Sequence, residues 1–303
     1  MAMEFLAKLP QIRYSTAALI VFLSAYVTAL ISAFVYFDTP QSPIARIGIV
    51  ALSALLFMTL MFMVSWSLKR TDAVDSAWGL VFIVATATAW LSSDYELMLG
   101  WNVQTLTMAL VLIWGLRLAI TITLRSIGRA EDKRYVELRK KWKGNAALNT
   151  YLRIFVLQAV LAVIISMAAI VVLSSPPQLL SPLAYAGLAI WLIGFLFEVV
   201  GDWQLKQFIK NPDNKGKMLT SGLWAYTRHP NYFGEATMWW GIFIIALSTY
   251  FGWIGAISPV VITYLLLFVS GVPLSEASMK QRPGWKKYQA RTSKFLPMPP
   301  KKV

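Results

Sequence analysis

The sequence predicts an all-helical, polytopic integral-membrane bundle of about eight spans (7–10) that forms a single domain over residues 1–303. Of its residues, 57% are hydrophobic and only 14% are charged, whereas a soluble domain carries about 25% charged residues. The apolar runs are continuous and do not alternate with polar residues, which indicates helices and argues against a barrel. The chain has no cysteine and one histidine, which excludes a disulfide framework and argues against a metal site.

Each predicted span is an apolar run bounded by charged or turn-forming residues. Two of the runs, the third and the sixth, are shorter than the roughly 20 residues that a helix needs to cross a bilayer. The predicted spans cover residues 16–37, 44–66, 77–92, 103–124, 154–173, 183–200, 232–250 and 253–271.

The basic residues predict the orientation of these spans. All of the 28 Lys and Arg residues except Arg46 and Arg117 fall on one side of an eight-span arrangement. Because positively charged loops remain in the cytoplasm, both termini are predicted to be cytoplasmic. The net charge of +14 then reflects topology and contact with anionic headgroups, and it gives no reason to expect a nucleic-acid partner.

The densest group of polar residues is a loop, 211–217, followed by the segment 222–235, which runs into a helix. Arg228 and His229 stand just before the first turn of that helix, where free backbone N–H groups favour an anion. Lys215, Lys217 and Arg228 supply charge-assisted donors of the kind that phosphates require. Basic residues next to a membrane can also bind only lipid headgroups, but that does not explain the placement of the one histidine.

Further polar groups lie in or near the spans. These groups either form ion pairs that stabilise the bundle or line a cytoplasm-facing pocket. They are Arg117, Glu235, and the pair Glu198 and Asp202, which are four residues apart on one helical face. Glu276, with the basic and aromatic segment 282–288, is expected near the segment 222–235, because the last two spans form a hairpin. Residues 131–143 form a third cluster, whose later part is interpreted as a solvated amphipathic helix.

The motifs resemble a known family. Gly222-Leu-Trp-x-x-x-Arg-His-Pro-Asn-Tyr-Phe-Gly-Glu235 and the tail up to Pro297 are similar to the steroid 5-alpha-reductase C-terminal-like group. Asp75-x-x-Trp78-Gly79, Trp114-Gly-Leu-Arg-Leu118 and Glu131-Asp-x-Arg-Tyr135 resemble its prokaryotic-type branch of unknown function. The resemblance covers residues 72–297, with a cofactor-binding half at 183–297, and residues 1–71 are less characteristic.

This resemblance implies a membrane-embedded, NADPH-dependent reductase of a carbon–carbon double bond in a lipid-like substrate such as a steroid, an isoprenoid or a related enone. The cofactor is expected in a cytoplasm-facing cavity formed by the C-terminal helices. Residues carried over to the cofactor site are Arg125, Arg129, Glu198, Asp202, Lys206, Lys210, Lys217, Arg228, His229, Asn231, Tyr232 and Glu235, and the polar motifs add Asn211, Trp224, Glu276 and Arg282.

The chain departs from the reductases at the substrate carbonyl, where they place a glutamate and a tyrosine. Here the comparable positions are Asp75 and Trp114. An indole N–H donates a hydrogen bond but does not release a proton, so Asp75 or Tyr135 is predicted to be the catalytic acid. Trp78, Trp114 and Arg117 are predicted to line the substrate site.

Two other functions remain open. A membrane methyltransferase of the isoprenylcysteine or phospholipid type has a similar Arg-His-Pro signature and a later glutamate, for which Glu276 qualifies, and it would use S-adenosylmethionine. A non-enzymatic lipid-binding or transport protein is the second alternative, although no internal symmetry supports it. A bacterial inner membrane fits the branch that the chain resembles, and an endoplasmic-reticulum membrane is the alternative location.

Overall fold

The computed structural model describes residues 43–93, 95 and 100–302. The predicted span at 16–37 lies outside these residues. All regular elements in the described ranges are helices. Two isolated β-bridges pair Asn102 with Leu179 and Thr227 with Ser293. The chain groups into two compact units, the first ending at Leu179 and the second beginning at Leu180. That the whole chain is one domain stays a prediction.

In the first unit, helix α2 (Ala73–Leu91) packs closely against α1 (Pro43–Ser67) and α3 (Val103–Ser126). Helices α2 and α3 approach closely because Gly79 and Gly115 face each other: a Cβ atom on Gly115 would lie 2.7 Å from the carbonyl oxygen of Gly79. Helix α3 begins where the Asn102 side chain accepts a hydrogen bond from the backbone N–H of Thr105 at 2.8 Å. The helices are α1 (Pro43–Ser67), α2 (Ala73–Leu91), α3 (Val103–Ser126), α4 (Lys133–Lys141), α5 (Ala146–Thr150), α6 (Leu157–Ile165), which follows a π-helical turn at Tyr151–Val156, and α7 (Met167–Leu173).

The second unit is dominated by one long helix pair. Helix α8 (Pro182–Lys210) starts with Ser181 as its cap and with proline in its first turn. It packs along α10 (Pro230–Ala246) through facing glycines, since a Cβ atom on Gly194 would lie 2.6 Å from the carbonyl oxygen of Gly234. The helices are α8 (Pro182–Lys210), α9 (Leu223–Tyr226), α10 (Pro230–Ala246), α11 (Ile257–Tyr264), α12 (Val272–Met279) and α13 (Trp285–Arg291), with 3-10 turns at Pro212–Asn214 and Gly252–Ala256 and a π-helical turn at Leu265–Val269.

Six helical stretches in the described ranges are long and apolar enough to cross a bilayer, which makes the chain an integral membrane protein. They overlap six of the eight predicted spans. The predicted span at 232–250 corresponds to α10, which has 17 residues. The six stretches are Arg46–Ser67, Ala73–Leu91, Val103–Ser126, Ala146–Ile165, Pro182–Lys210 and Gly252–Met279.

One boundary differs from the prediction in a way that changes the site. The sixth predicted span ended at residue 200, but α8 continues to Lys210. The apolar run ends at 200, yet nothing in the following residues breaks a helix until Pro212. Lys206 and Lys210, which lie beyond the end of the predicted span, are therefore helical, and they continue the stripe of Glu198 and Asp202 at four-residue spacing.

Candidate functional site

The predicted signature lies at the start of α10 in the second unit. His229 is the residue that precedes the helix, and Pro230 occupies its first position, where a missing N–H costs no hydrogen bond. Arg228 and His229 are almost completely buried, with exposed fractions of 5% and 1%. Both side chains therefore meet protein groups on nearly all sides.

Arg228 directs its guanidinium at one carboxylate and two backbone carbonyls. Its Nε donates to Oε1 of Glu276 at 2.8 Å, and one terminal nitrogen donates to the carbonyl oxygens of Thr292 at 2.6 Å and Gln289 at 3.2 Å. The ring of Trp285 lies 5.7 Å from the guanidinium carbon. These contacts tie three segments of the second unit together, and whether Arg228 also touches a cofactor stays a prediction.

Glu276, on α12, accepts hydrogen bonds from both signature residues. The same oxygen that accepts from Arg228 lies 3.3 Å from Nε2 of His229. Glu276 is itself buried, and a buried carboxylate needs such partners to offset its lost hydration. The predicted proximity of Glu276 to the signature is confirmed.

The chain after α13 belongs to the motif up to Pro297, but its contacts with the signature loop were not predicted from the sequence. The backbone N–H of Arg228 donates to the carbonyl oxygen of Ser293 at 2.9 Å, and the hydroxyl of Thr227 donates to that of Phe295 at 2.7 Å. Tyr288 donates its hydroxyl to the carbonyl oxygen of Trp224 at 2.7 Å. This C-terminal segment, 288–298, is thus bound along the loop that carries the signature. Most of these bonds involve backbone atoms, which leave no trace in side-chain patterns.

Burial changes the proton affinity of two groups in this unit. Desolvation lowers the pKa of His229 to about 4, although its hydrogen bond to Glu276 opposes this shift. Desolvation also raises the pKa of the Tyr288 hydroxyl above its ordinary value. Both groups are therefore neutral near pH 7, and Tyr288 keeps the proton that it donates to Trp224.

A cavity of about 520 Å³ opens beside the end of α8. Most of its surface is apolar, and Lys215, Lys217 and Arg282 are the cationic residues beside it. Arg282 also donates to the carbonyl oxygen of Lys217 at 2.9 Å. Four predicted cofactor residues, Asn211, Lys217, Trp224 and Arg282, come together here, whereas Arg228 and His229 do not line it. The other lining residues are Leu205, Phe208, Ile209, Pro212, Asn214, Gly216, Met218, Leu219, Met279 and Tyr288.

The remaining predicted residues of this unit lie along α8 and the first turns of α10. Glu198 is buried against Gly234, since a Cβ atom there would lie 2.7 Å from the backbone nitrogen of Glu198. The ring of Tyr232 stacks on that of His229, with centroids 5.4 Å apart. The buried Oδ1 of Asn231 has no hydrogen-bond partner within the described residues. Asp202, Tyr232 and Glu235 are half-buried, and Lys206 and Lys210 are exposed.

In the first unit the two predicted catalytic residues are in contact. The hydroxyl of Tyr135, on α4, donates a hydrogen bond to Asp75 in the first turn of α2. Tyr135 is buried, and its pKa is raised first by desolvation and then by the negative charge of Asp75. Arg134 reaches the other oxygen of Asp75 at 3.3 Å. The arrangement keeps a protonated phenol next to a carboxyl group.

Helix α4 is held in place by an ionic network around the loop 70–72. Arg139 forms two hydrogen bonds of 2.5 Å with Glu131, which also accepts from the backbone N–H of Thr71 at 2.7 Å. These bonds lower the pKa of Glu131 although its partial burial would raise it. Asp72 pairs with Arg70 at 2.7 Å. The later part of this cluster, 137–143, was interpreted as a solvated helix. Glu137 and Lys140 are exposed as expected, whereas Arg139 is half-buried and paired with Glu131.

The other predicted residues of the first unit are spread over α2 and α3. Trp114 is buried and packs edge-to-face on Phe82, which packs in the same way on the half-buried Trp78. Arg117 is half-buried on α3, and Arg125 at its C-terminal end is exposed. The backbone carbonyl of Arg129 accepts from Arg70 at 2.6 Å. That these residues line a substrate site or bind a phosphate stays a prediction.

Comparison with known proteins identifies the family. Residues 61–292 match the family described as protein of unknown function (DUF1295). The chain belongs to this family. It is a steroid 5-alpha-reductase-like family, so the resemblance inferred from the motifs is confirmed.

Two curated relatives match over short segments. A probable O-methyltransferase, ustE, of Ustilaginoidea virens is 44% identical over 54 residues, which is 18% of this chain and 19% of that protein. The 3-oxo-5-alpha-steroid 4-dehydrogenase 1 of Bos taurus is 34% identical over 87 residues, which is 29% of this chain and 32% of that protein. The chain thus matches less than a third of the length of each of these relatives. No solved structure matches the chain.

Proposed function

We propose that the protein is an NADPH-dependent reductase of a carbon–carbon double bond in a lipid-like steroid, isoprenoid or related enone. The observation that carries this proposal is the hydrogen bond between Tyr135 and Asp75. Reduction of an enone needs a proton donor at the carbonyl oxygen, where negative charge develops. A phenol that stays protonated beside a carboxyl group meets that need, whereas a methyl transfer requires no such acid.

The residues at the cavity of the second unit fit the cofactor of such a reaction. NADPH carries a pyrophosphate and a further phosphate on its adenine ribose, and Lys215, Lys217 and Arg282 supply the positive groups that phosphates favour. The apolar part of the lining, including Leu205, Phe208 and Met218, suits a flat purine ring. When bound, NADPH supplies the hydride, and this chain supplies orientation, charge and the proton.

A titration that follows the fluorescence of NADPH tests this assignment. We expect the double variant Lys217→Ala/Arg282→Ala to bind NADPH at least ~100-fold more weakly, because each lost charge-assisted hydrogen bond contributes about 1.5–3 kcal/mol. The matched control is Lys286→Ala/Lys287→Ala, which removes the same charge from exposed positions outside the cavity lining. Equal affinity of both double variants would contradict the assignment of the cavity.

A second candidate function is favoured by one specific contact. Glu276 lies within hydrogen-bond distance of both Arg228 and His229, and a glutamate after the hairpin was the feature expected of a membrane methyltransferase. A relative described as a probable O-methyltransferase supports this alternative. It requires S-adenosylmethionine to bind in place of NADPH. The sulfonium of that cofactor is positive, so a lining with three cationic groups disfavours it at this cavity.

We further propose that the chain crosses a bacterial inner membrane eight times with both termini in the cytoplasm, where its basic residues meet anionic headgroups. The chain contains no cysteine, so single introduced cysteines report sidedness directly. With a membrane-impermeant maleimide added to intact spheroplasts, we expect Leu179→Cys to react and Lys301→Cys to be protected until the membrane is opened. The reverse pattern would contradict the proposed orientation.

A further inference from the structure

Helix α4 of the first unit is short and polar, and it has little apolar surface with which to pack. All of its residues are described, and Tyr135 is the only one among them that is buried. Val136 is half-buried and Leu138 is exposed. Helices shorter than about 12 residues are also marginal on their own in water. The place of α4, and with it that of the Tyr135 hydroxyl, must therefore depend on polar contacts.

Those contacts join both ends of α4 to the loop 70–72. Just before the helix, Glu131 accepts a hydrogen bond from the backbone N–H of Thr71 at 2.7 Å, and Asp72 accepts one from the backbone N–H of Asp132 at 3.0 Å. In the last turn, Arg139 donates to both carboxylate oxygens of Glu131 and to the hydroxyl of Thr71. Thr71, Glu131 and Arg139 are called the clamp below.

The loop 70–72 is itself fixed to the end of α1. The backbone N–H of Arg70 donates to the carbonyl oxygen of Ser65 at 3.0 Å, and the buried Ser65 hydroxyl donates to the carbonyl oxygen of Arg70 at 2.7 Å. Asp75 follows this loop after three residues, in the first turn of α2. The clamp thus attaches α4, which carries Tyr135, to the segment that determines where Asp75 lies.

The arginine beside the Asp75–Tyr135 pair does not provide this attachment. Arg134 is mostly exposed and reaches Asp75 at 3.3 Å, and ion pairs of that kind contribute little. The side chains of Arg139 and Glu131 are only 26% and 12% exposed. Their two parallel N–H···O bonds also fix direction, which a single contact does not. The clamp is therefore the stronger constraint on Tyr135.

We propose that Glu131 and Arg139 are positioning residues that hold the hydroxyl of Tyr135 against Asp75. The kinetic part of this inference rests on the proposed reductase function, in which that hydroxyl is the proton donor. A reacting group displaced by about 1 Å can lose on the order of 100-fold in rate. The clamp then governs the rate of proton transfer through Tyr135, without contact with the substrate or the cofactor.

Fluorine NMR of 3-fluorotyrosine at position 135 tests the position of the phenol without an activity assay. We expect one signal, distinct from that of the same label at Tyr226, which is 47% exposed. Arg139→Gln removes the ion pair with Glu131 and should move the signal toward that exposed reference. The matched control is Lys140→Gln, which removes the same charge from the next residue and breaks an exposed pair of the same helix. It should leave the signal in place.

An unchanged signal in a folded Arg139→Gln protein would overturn the positioning role, and so would an equal shift in Lys140→Gln. Hydrogen exchange on the unmodified protein gives a second measurement. The backbone N–H groups of Thr71 and Asp132, which donate to the carboxylates of Glu131 and Asp72, should exchange more slowly than in an unfolded chain. Exchange at the unfolded rate would also overturn the role, so the test remains decisive if the variant does not fold.

Kinetics separate a positioning role from a general loss of structure. Arg139→Gln should lower kcat for double-bond reduction about tenfold and leave KM unchanged, because the clamp does not bind the substrate. Introduced into Tyr135→Phe, the same change should cause no further loss, since the group that it positions is already absent. An equal loss in both backgrounds would show that Arg139 does not act through Tyr135.

The outcomes also separate this inference from the proposed function. If Arg139→Gln moves the fluorine signal but leaves kcat unchanged while Tyr135→Phe lowers it, the positioning role is wrong and the reductase proposal stands. If Tyr135→Phe retains the full rate, or no reduction is observed, the proposed function fails at the proton donor. The fluorine signal and the hydrogen exchange then still decide whether the clamp holds Tyr135 at Asp75.

Discussion

The Asp75–Tyr135 region and the Arg228–His229–Glu276 region both combine a carboxylate, an arginine and a ring, but they are held in different ways. Arg134 beside Asp75 has a side chain that is 54% exposed, whereas the Arg228 side chain is 6% exposed. Arg228 also binds two backbone carbonyls of the C-terminal segment. The same residue types therefore act as an adjustable polar group in the first unit and as a structural connection in the second.

This difference changes how the signature is interpreted. Its arginine was expected to bind phosphate, yet the structure gives its donors to Glu276, Gln289 and Thr292, and it places Lys217 and Arg282 at the cavity. The signature arginine thus connects segments of the protein, and the proposed binding of a phosphate falls to the less distinctive Lys217 and Arg282. The following changes test this contrast, in order of decreasing effect.

Arg228→Ala should have the largest effect on stability. It leaves the buried carboxylate of Glu276 without its main partner, and breaking a buried pair on one side costs about 3–5 kcal/mol. Thermal unfolding in detergent measures the loss. The double variant Arg228→Ala/Glu276→Ala should lose less than the sum of the two single variants, and strict additivity would show that the contact has no energetic weight.

Acidification should destabilise the second unit through His229. Its folded pKa of about 4 lies below the ordinary value of 6.5, so below about pH 6.5 the unfolded chain binds a proton that the folded chain does not. Stability should fall by about 3 kcal/mol as the pH drops from about 6.5 to 4, with no contribution from this group at higher pH. Unfolding measured across this range should lose that slope in His229→Asn, and an unchanged slope would contradict the account.

Glu131 and Asp132 provide the comparison in the first unit. Their lowered pKa values mean that their contribution to stability is present above the ordinary pKa, which is 4.5 for Glu131 and 3.8 for Asp132, and is lost as the pH falls through the folded value. The acid sensitivity of the first unit should therefore begin about two pH units below that caused by His229.

Tyr135→Phe should lower the rate of double-bond reduction about 100-fold, because a positioned acid contributes at least that factor. Affinity for NADPH should be unchanged, since the change removes a hydroxyl group that does not line the cavity. Asp75→Asn provides the comparison for the other member of the pair. A rate within about twofold of the unmodified protein in both variants would remove this pair from the mechanism.

Arg134→Gln should have the smallest effect. Its ion pairs with Asp75 and Asp132, at 3.3 and 2.9 Å, are largely exposed, and exposed pairs contribute about 0–1 kcal/mol. The unfolding free energy should change by less than about 1 kcal/mol. A loss as large as that of Arg228→Ala would erase the distinction between the two regions.

The sequence predicted the helical class, six of the candidate spans and the contact of Glu276 with the signature, because apolar runs and the short hairpin carry that information. It also predicted Asp75 and Tyr135 as alternative catalytic acids, and in the structure these two residues are hydrogen-bonded to each other. It misplaced the end of α8, because the decline in hydropathy after residue 200 is not a helix stop. It included the C-terminal segment in the motif but missed the contacts of that segment with residues 226–228, because these hydrogen bonds run mainly through backbone atoms.

The most direct test of the central claim is a thermal-shift titration of the purified protein with NADPH, NADH and S-adenosylmethionine. A ligand at about 100 times its dissociation constant adds roughly 2.7 kcal/mol of apparent stability. The account predicts stabilisation by NADPH, weaker stabilisation by NADH and none by S-adenosylmethionine. Stabilisation by S-adenosylmethionine alone would contradict it and would establish the methyltransferase alternative as the function to pursue.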